Sequence, residues 1–228
     1  MSRSAAAQES DMPLKLYTYF RSSAAYRVRL ALNYKGLAYD SASVHLRREE
    51  HRSDAYRELN PQALVPALET DGVVIPQSLA IIEYLEETFP PPDHPALWPA
   101  EVGRRSRARW LAAEMHAGFT ELRSEMAFHL CFQPRPPKIS PAALGEAAGM
   151  LALWEESLTR SAGEGPFLLG AFSAADIMYA PAVVRLQAFG VPLAGTPRAA
   201  TYIADVLAHP AVRRWMEAAR ALPPVEAY

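Results

Sequence analysis

The sequence predicts a two-part fold, a small α/β domain followed by an all-helical domain. In the first ninety residues strand and helix patterns alternate in the order β-α-β-α-β-β-α, which is typical of a mixed α/β unit. The run Pro90-Pro91-Pro92 ends that pattern, and no segment from Leu97 onward alternates like a strand. We therefore expect an α/β domain over residues 12–90 and a helical domain over residues 97–228, preceded by a disordered tail over residues 1–11.

The first strand and helix are predicted from alternation and from helix caps. Residues 14–19, LKLYTY, alternate apolar and polar side chains and predict a strand. Ser22 and Ser23 are typical N-cap residues, and Gly36 stands where a C-cap glycine belongs. These caps favour a helix over residues 24–35, although YRVRLAL within it also alternates like a strand.

The rest of the α/β domain is predicted from turns and periodicity. Residues 38–45 predict a second strand, and a short helix is expected near residues 53–59. VPALET and GVVI form a hairpin around Asp71-Gly72, because such a pair adopts the positive φ angles of a tight turn. Gln77 and Ser78 then begin a helix that the prolines end.

The second half of the sequence has helical patterns throughout. The stretch RRSRARWLAAEMHAGFTELRSEM, residues 104–126, predicts one long helix by propensity and period. A proline-rich loop, FQPRPPKISP, separates it from a helix over residues 141–160. A further helix begins at Ser173, where Asp176 three residues later completes a capping box, and two short helices divide near His209-Pro210.

Composition excludes several functional classes. The 228 residues carry a formal charge of −2, which gives no indication of binding to nucleic acid or to an anionic membrane. No apolar run approaches the roughly 20 residues of a membrane-spanning helix, and no signal peptide is expected. The lone Cys131 excludes an internal disulfide and favours a reducing, cytoplasmic compartment. The six histidines lack metal-ligand spacing, so we expect no metal.

Ser22 and Ser23 form the first of three candidate anion sites. The start of a helix presents unpaired N–H groups and a partial positive charge, which favour a thiolate over a thiol. A serine hydroxyl there can donate a hydrogen bond to the sulfur. Taken alone, a plain N-cap is the commoner role of a serine in this position.

Val65-Pro66 and Gln77-Ser78 are the other two candidate sites. Val65-Pro66 is either an ordinary entry to a strand or a cis peptide that turns the backbone of Val65 toward an extended peptide ligand. Gln77 and Ser78 offer backbone amides and a hydroxyl to a carboxylate, or they act only as a cap. The residues alone leave both alternatives open.

Together these segments resemble the glutathione-binding site of the cytosolic glutathione transferases, most closely the zeta class. The first helix of that class opens with S-S-C-x-W-R-V-R-x-A-L, where this chain has SSAAYRVRLAL. LNPQALVP, residues 59–66, is similar to the family's L-N-P-x-x-x-V-P, in which the proline is cis. QSLAIIEYLEET, residues 77–88, matches the class almost letter for letter. The resemblance implies a thioredoxin-like N-terminal domain and an all-helical C-terminal domain, usually paired in a homodimer.

The resemblance also implies residue roles. Ser22 would hydrogen-bond the glutathione thiolate with help from Ser23, and Val65, held by cis-Pro66, would bind the cysteinyl portion through its backbone. Gln77 and Ser78 would bind the γ-glutamyl group. Arg27 matches an arginine of the class, either supporting the site or packing against the helical domain. Two departures stand out, since Ala24 replaces the cysteine of the class motif and Tyr26 its tryptophan.

The second substrate is expected between the two domains. At helical spacing this pocket would be lined by His116, Phe119, Arg123, Met126 and His129, with Arg123 steering a carboxylate, unless these residues serve packing and surface roles. We expect a glutathione transferase that joins the thiolate to a small electrophile. The alternative is a glutathione-dependent cis–trans isomerase of the maleylacetoacetate or maleylpyruvate type, and a non-catalytic binding protein of the same fold is a third hypothesis.

Overall fold

The α/β part forms one four-stranded sheet with helices against it. The computed structural model describes residues 13–132 and 138–221 of the chain. The strands and helices of this part are β1 (Lys15–Thr18), α1 (Ser23–Lys35), β2 (Asp40–Ser43), α2 (Asp54–Leu59), β3 (Ala67–Thr70), β4 (Val73–Pro76) and α3 (Ser78–Thr88). The spatial order is β2-β1-β3-β4, with β2 parallel to β1 and the other pairs antiparallel. The predicted α/β arrangement is confirmed.

Local sequence explains the turns of this part. Gly36 ends α1 with a φ of 71°, in the left-handed region where a residue without Cβ is favoured. Asp71 and Gly72 both have positive φ angles, 46° and 75°, as the hairpin between β3 and β4 requires. Both features match the sequence expectation.

The remaining described elements are helical. They are α4 (Val102–Ala117), α5 (Thr120–Glu125), α6 (Pro141–Arg160), α7 (Ala174–Ala188), α8 (Pro197–Ala208) and α9 (Pro210–Ala221). The expected helices beginning near residues 141 and 173, and the division at His209-Pro210, are present. The disordered tail expected over residues 1–11 lies outside the described residues, as do residues 133–137 of the proline-rich loop.

The single long helix expected over residues 104–126 is wrong. Helix α4 ends at Ala117, Gly118 is extended, and Phe119 is left-handed with a φ of 58° before α5 begins. The side chain of Arg123 stabilises this break, because its Nη1 donates to the carbonyls of His116 and Gly118 at 2.9 and 3.3 Å. Propensity summed over the window missed the break, since a side chain from the next helix stabilises it.

Helix α1 joins the two parts of the molecule. It packs against both α3 and α7, and one continuous apolar core runs through both parts. At its end the buried Lys35 pairs with Glu86 at 2.7 Å and donates to the carbonyls of Phe89 and Pro95. This lysine therefore fixes the segment that connects α3 to α4. In the described ranges no helix is long and apolar enough to cross a membrane.

Candidate active site

The sheet topology brings the three candidate segments to one end of the sheet. Because β3 is antiparallel to β1, Ala67 at its start pairs with Tyr17 near the end of β1, just before Ser22. Because β4 is antiparallel to β3, its last residue, Pro76, also pairs with Ala67. The starts of α1, β3 and α3 are therefore neighbours, although they are far apart in sequence.

At the start of α1, a turn and a cap orient Ser22. Its backbone N–H donates to the carbonyl of Tyr19 at 3.0 Å, and its Oγ accepts from the N–H of Ala25 at 3.3 Å. The cap uses only a lone pair of the hydroxyl, so the proton of Ser22 stays available to an anion. The amides of Ser23 and Ala24 precede the first bonds within the helix and add donors at the same place.

Before β3, a loop folded around Asn60 presents the backbone of Val65. Buried Asn60 donates from Nδ2 to the carbonyl of Leu64 at 2.8 Å, and Tyr56 donates to the same carbonyl at 2.7 Å. The Val65–Pro66 peptide is cis. The N–H and carbonyl of Val65 have no hydrogen-bond partner within the described chain, so an extended peptide can pair with them.

The start of α3 differs from an ordinary capped helix. Gln77 occupies the N-cap position with a φ of 73° and makes no capping bond, while its Nε2 donates to Gln62 at 2.9 Å. The Ser78 Oγ is buried, and no group in the described residues pairs with it. A strained backbone beside a buried, unpaired hydroxyl and free amides fits a carboxylate ligand.

Between the two parts of the molecule lies a group of cationic side chains, which we call the arginine cluster: Arg27 and Arg185, which are buried, and Arg123, which is half-buried. Burial lowers the pKa of Arg27 to about 9, with further lowering by Arg185 and Arg123. Burial likewise lowers the pKa of Arg185 to about 10. No carboxylate in the described part of the chain lies within ion-pair distance of these three guanidinium groups.

Each arginine of the cluster is held by backbone carbonyls. Arg27 donates from Nε to the carbonyl of Met178 in α7 at 3.1 Å, so it lies against the helical part while belonging to α1. Arg185 donates from Nε to the carbonyl of Met126 at 2.8 Å, and its Nη1 is buried without a partner in the described residues. Carbonyls cannot neutralise these charges, so the cluster could accept an anionic ligand.

The other side chains expected in the substrate pocket lie in different surroundings. His116 adjoins the cluster: burial is the main cause of its lowered pKa, with Arg27 and Arg123 adding to it. Phe119 contacts the edge of Tyr179, with 6.5 Å between ring centroids. Met126 is fully buried in the core, and His129 is half-buried, with its pKa lowered chiefly by burial.

Sequence reasoning missed Arg185 and Asn60. Arg185 is the lone charged residue in the apolar run from Ile177 to Leu186, and such an isolated charge is the signal that could have identified it. Asn60 was part of a recognised motif but had no role of its own. Burial raises the pKa of the Cys131 thiol to about 12, so this cysteine lacks the lowered pKa of an activated nucleophile.

The two departures from the zeta motif lie in different places. Ala24 lies half-buried in the first turn of α1, beside the candidate thiolate position. Tyr26 faces away into the core, stacked on Trp215 of α9 with ring centroids 4.0 Å apart. Only the first departure changes the site itself. The described residues contain no group of side chains that could hold a metal ion.

Comparison with known sequences decides the family. Models of the N-terminal and C-terminal domains of glutathione S-transferases match residues 16–93 and 137–218. The chain belongs to the glutathione S-transferase family. A maleylacetoacetate isomerase of Pseudomonas aeruginosa is 39% identical over 209 residues, which cover 88% of this chain and 94% of the relative. This glutathione transferase is therefore a glutathione-dependent enzyme.

Solved structures agree with that assignment. A maleylpyruvate isomerase, described as a bacterial glutathione S-transferase of the zeta class, is 34% identical with a TM-score of 0.74, covering 91% of this chain and 98% of its own. A maleylacetoacetate isomerase of Methylobacterium extorquens AM1 with bound malonate and glutathione is 32% identical with a TM-score of 0.71, covering 93% and 100%. The likeness to the zeta class and the thioredoxin-like plus helical architecture are confirmed.

Proposed function

We propose that this glutathione transferase catalyses the glutathione-dependent cis–trans isomerisation of a maleyl dicarboxylate, of the maleylacetoacetate or maleylpyruvate type. The arginine cluster is the observation that carries the proposal. Buried guanidinium groups without carboxylate partners are costly, and a ligand with two carboxylates offsets that cost. A neutral apolar electrophile gives these charges no partner.

Separate groups of residues bind the two anionic molecules, glutathione and the maleyl substrate. Val65, Gln77 and Ser78 hold the peptide backbone and the γ-glutamyl end of glutathione, while Ser22 and the amides of α1 stabilise its sulfur. When bound, glutathione supplies a thiolate for the substrate double bond and leaves unchanged. Arg27, Arg123 and Arg185 hold the substrate carboxylates between the two domains, which places the double bond beside the start of α1 and removes the entropy cost of a chance encounter.

This proposal reverses the order of the two functions that the sequence suggested. A conjugating transferase ranked first there, because Ala24 replaces the cysteine of the class motif. Two observations now favour the isomerase: the arginines of the cluster have no carboxylate partner among the described residues, and the relatives described above are named as isomerases of maleyl substrates. Ala24 remains the observation that favours conjugation, so both reactions must be measured.

One assay separates the two reactions. Purified protein is given catalytic amounts of glutathione with maleylpyruvate, and stoichiometric glutathione with a chloronitrobenzene, in parallel. We expect many turnovers of maleylpyruvate for each glutathione, with the free thiol content unchanged. Arg123→Gln should raise the KM for maleylpyruvate while glutathione affinity, measured by calorimetry, stays the same. Consumption of glutathione with the chloronitrobenzene and no maleylpyruvate turnover would overturn the isomerase in favour of the transferase.

Several expectations from the sequence stay proposals alongside it. These are the domain limits at residues 12–90 and 97–228, the cytoplasmic location and the homodimer. Large apolar side chains that such a dimer interface could cover are exposed at Leu64, Val73, Val102 and Trp110. Light scattering of the eluted protein gives its mass, and a mass of one chain across micromolar concentrations would contradict the homodimer.

A further inference from the structure

A hydrogen bond connects the helical domain to the second serine of the candidate site. Nη2 of Arg185, in α7, donates to Oγ of Ser23 at 3.2 Å, across 162 positions of sequence. Ser23 is the first residue of α1 and directly follows Ser22. The arginine cluster therefore contacts the same helix end that is assigned to the thiolate.

The direction of this hydrogen bond fixes how Ser23 can be used. A guanidinium has donors only, so the Ser23 oxygen must accept, and its own proton must point away from Arg185. No group among the described residues accepts that proton. Ser22 is in the same situation, since its oxygen accepts from Ala25 and its proton has no described acceptor. Two hydroxyl protons are thus left unpaired at one helix start.

Arg185 is held in place independently of α1. Its Nε is bonded to the carbonyl of Met126, and its guanidinium lies over the ring of Phe128 at 5.3 Å from the centroid. The whole side chain is buried. A fixed cation that donates to a hydroxyl polarises it and makes it a stronger donor in turn.

We propose that Arg185 is a positioning residue that acts through Ser23: it turns the Ser23 hydroxyl proton toward the glutathione sulfur, making Ser23 a second thiolate donor beside Ser22. This role is separate from holding a substrate carboxylate, which engages other donors of the guanidinium. It rests on the proposed glutathione site and does not depend on the isomerase reaction.

The test is the pH titration of the thiolate absorbance in the enzyme–glutathione complex, without a second substrate. Ser23→Ala should raise the pKa of the bound thiol by about one unit, as expected for the loss of one charge-assisted hydrogen bond. Ser23→Thr, which keeps the hydroxyl, should restore the wild-type value. Arg185→Lys should raise the pKa in the same direction while keeping the charge.

The double variant Ser23→Ala/Arg185→Lys separates coupling from independent effects. If Arg185 acts through Ser23, the double variant should titrate like Ser23→Ala alone. Additive shifts, or an unchanged pKa in Ser23→Ala, would overturn the proposal. If Arg185→Lys does not fold, Arg185→Gln replaces it, because Gln retains a donor amide and should give a smaller shift of the same sign.

A matched control comes from the same helix. Nη2 of Arg29 donates to Oγ of Ser41 at 3.0 Å, which is the same kind of contact away from the site. Arg29→Lys and Ser41→Ala should leave the thiol pKa unchanged, and a shift as large as that of Ser23→Ala would overturn the proposal by showing a general effect. Calorimetry of each variant confirms binding. Failure of the wild type to bind glutathione would instead count against the proposed function.

Discussion

Helices α1 and α7 both begin with a serine at the N-cap, but only α7 supplies its own acid to that helix start. Both helices have serine at the N-cap, Ser22 in one and Ser173 in the other. At α7 the third helical residue is Asp176, whose carboxylate accepts from the N–H and Oγ of Ser173 at 2.9 and 3.0 Å and from the N–H of Leu168 at 3.1 Å. At α1 that position is Ala25, which carries no acid.

The difference shows how a helix start is either closed or left open. The start of α7 brings its own anion, is completely buried, and ties the preceding loop to the helix. The start of α1 is half-buried and lacks an acid, and its amides and hydroxyl protons remain for an anion from outside. A closed cap contributes stability, whereas an open one is suited to bind a ligand.

Substituting each of the two N-cap serines in turn is the most direct test of whether one helix start serves catalysis and the other stability. Ser22→Ala should lower turnover roughly a hundred-fold, as for the loss of one donor to a developing anion, with glutathione affinity largely kept. Ser173→Ala should lower the free energy of unfolding by about 1 kcal/mol and leave turnover of the folded protein unchanged. Steady-state kinetics and urea unfolding of both variants give the result. Full activity of Ser22→Ala would remove Ser22 from the mechanism.

The pH dependence of the free energy of unfolding tests the role of the acid at the start of α7. Burial raises the pKa of Asp176 from 3.8 to about 6, despite its hydrogen bonds. A raised pKa in the folded state means that this group stabilises the fold most below about pH 4, and that the contribution is lost as the pH rises through about 6.

Asp176→Asn, which does not titrate, isolates that effect. The free energy of unfolding of the wild type minus that of the variant should fall by about 2 kcal/mol between pH 4.5 and pH 7.5. Urea unfolding at both pH values measures it. A constant difference would show that the hydrogen bonds at the start of α7 outweigh the burial of Asp176.

The start of α3 offers the smallest expected effect. The Ser78 hydroxyl is buried and unpaired within the described chain, so the start of α3, like that of α1, is left open for a ligand. Ser78→Ala should weaken glutathione binding about tenfold, because one hydrogen bond to a carboxylate is lost, while stability is kept or slightly raised. Calorimetry measures the affinity and thermal unfolding the stability. An unchanged affinity would contradict the carboxylate role.

Local patterns predicted most of the fold because the interactions behind them are local. The caps at Ser22 and Gly36 and the Asp71-Gly72 turn each depend on neighbours within four residues. The expected long helix over residues 104–126 failed where that locality ends. The side chain of Arg123, several residues further along the chain, donates hydrogen bonds to the carbonyls of His116 and Gly118 at the break. No sum of helix propensities includes that contact.

The candidate site was likewise predicted in part from local motifs and decided in part by the tertiary structure. Ser22, Val65-Pro66 and Gln77-Ser78 were identified from motifs, but each also had an ordinary structural explanation when taken alone. Their meeting at one end of the sheet follows from strand pairing, which the β-α-β-α-β-β-α order alone does not fix. The cis state of Val65–Pro66 was likewise undetermined by the residues themselves and expected only from the family resemblance.

By itself the sequence determined most of the secondary structure, apart from the break between α4 and α5, and the two-part organisation, because these depend largely on residues close together along the chain. Tertiary structure alone decided that Arg27 and Arg185, from different domains, are buried together without a carboxylate. It also decided that Arg185 reaches Ser23. The physical reason is that desolvation and long-range charge interactions depend on what surrounds a side chain in space, and the packing of α1 against α7 sets those surroundings.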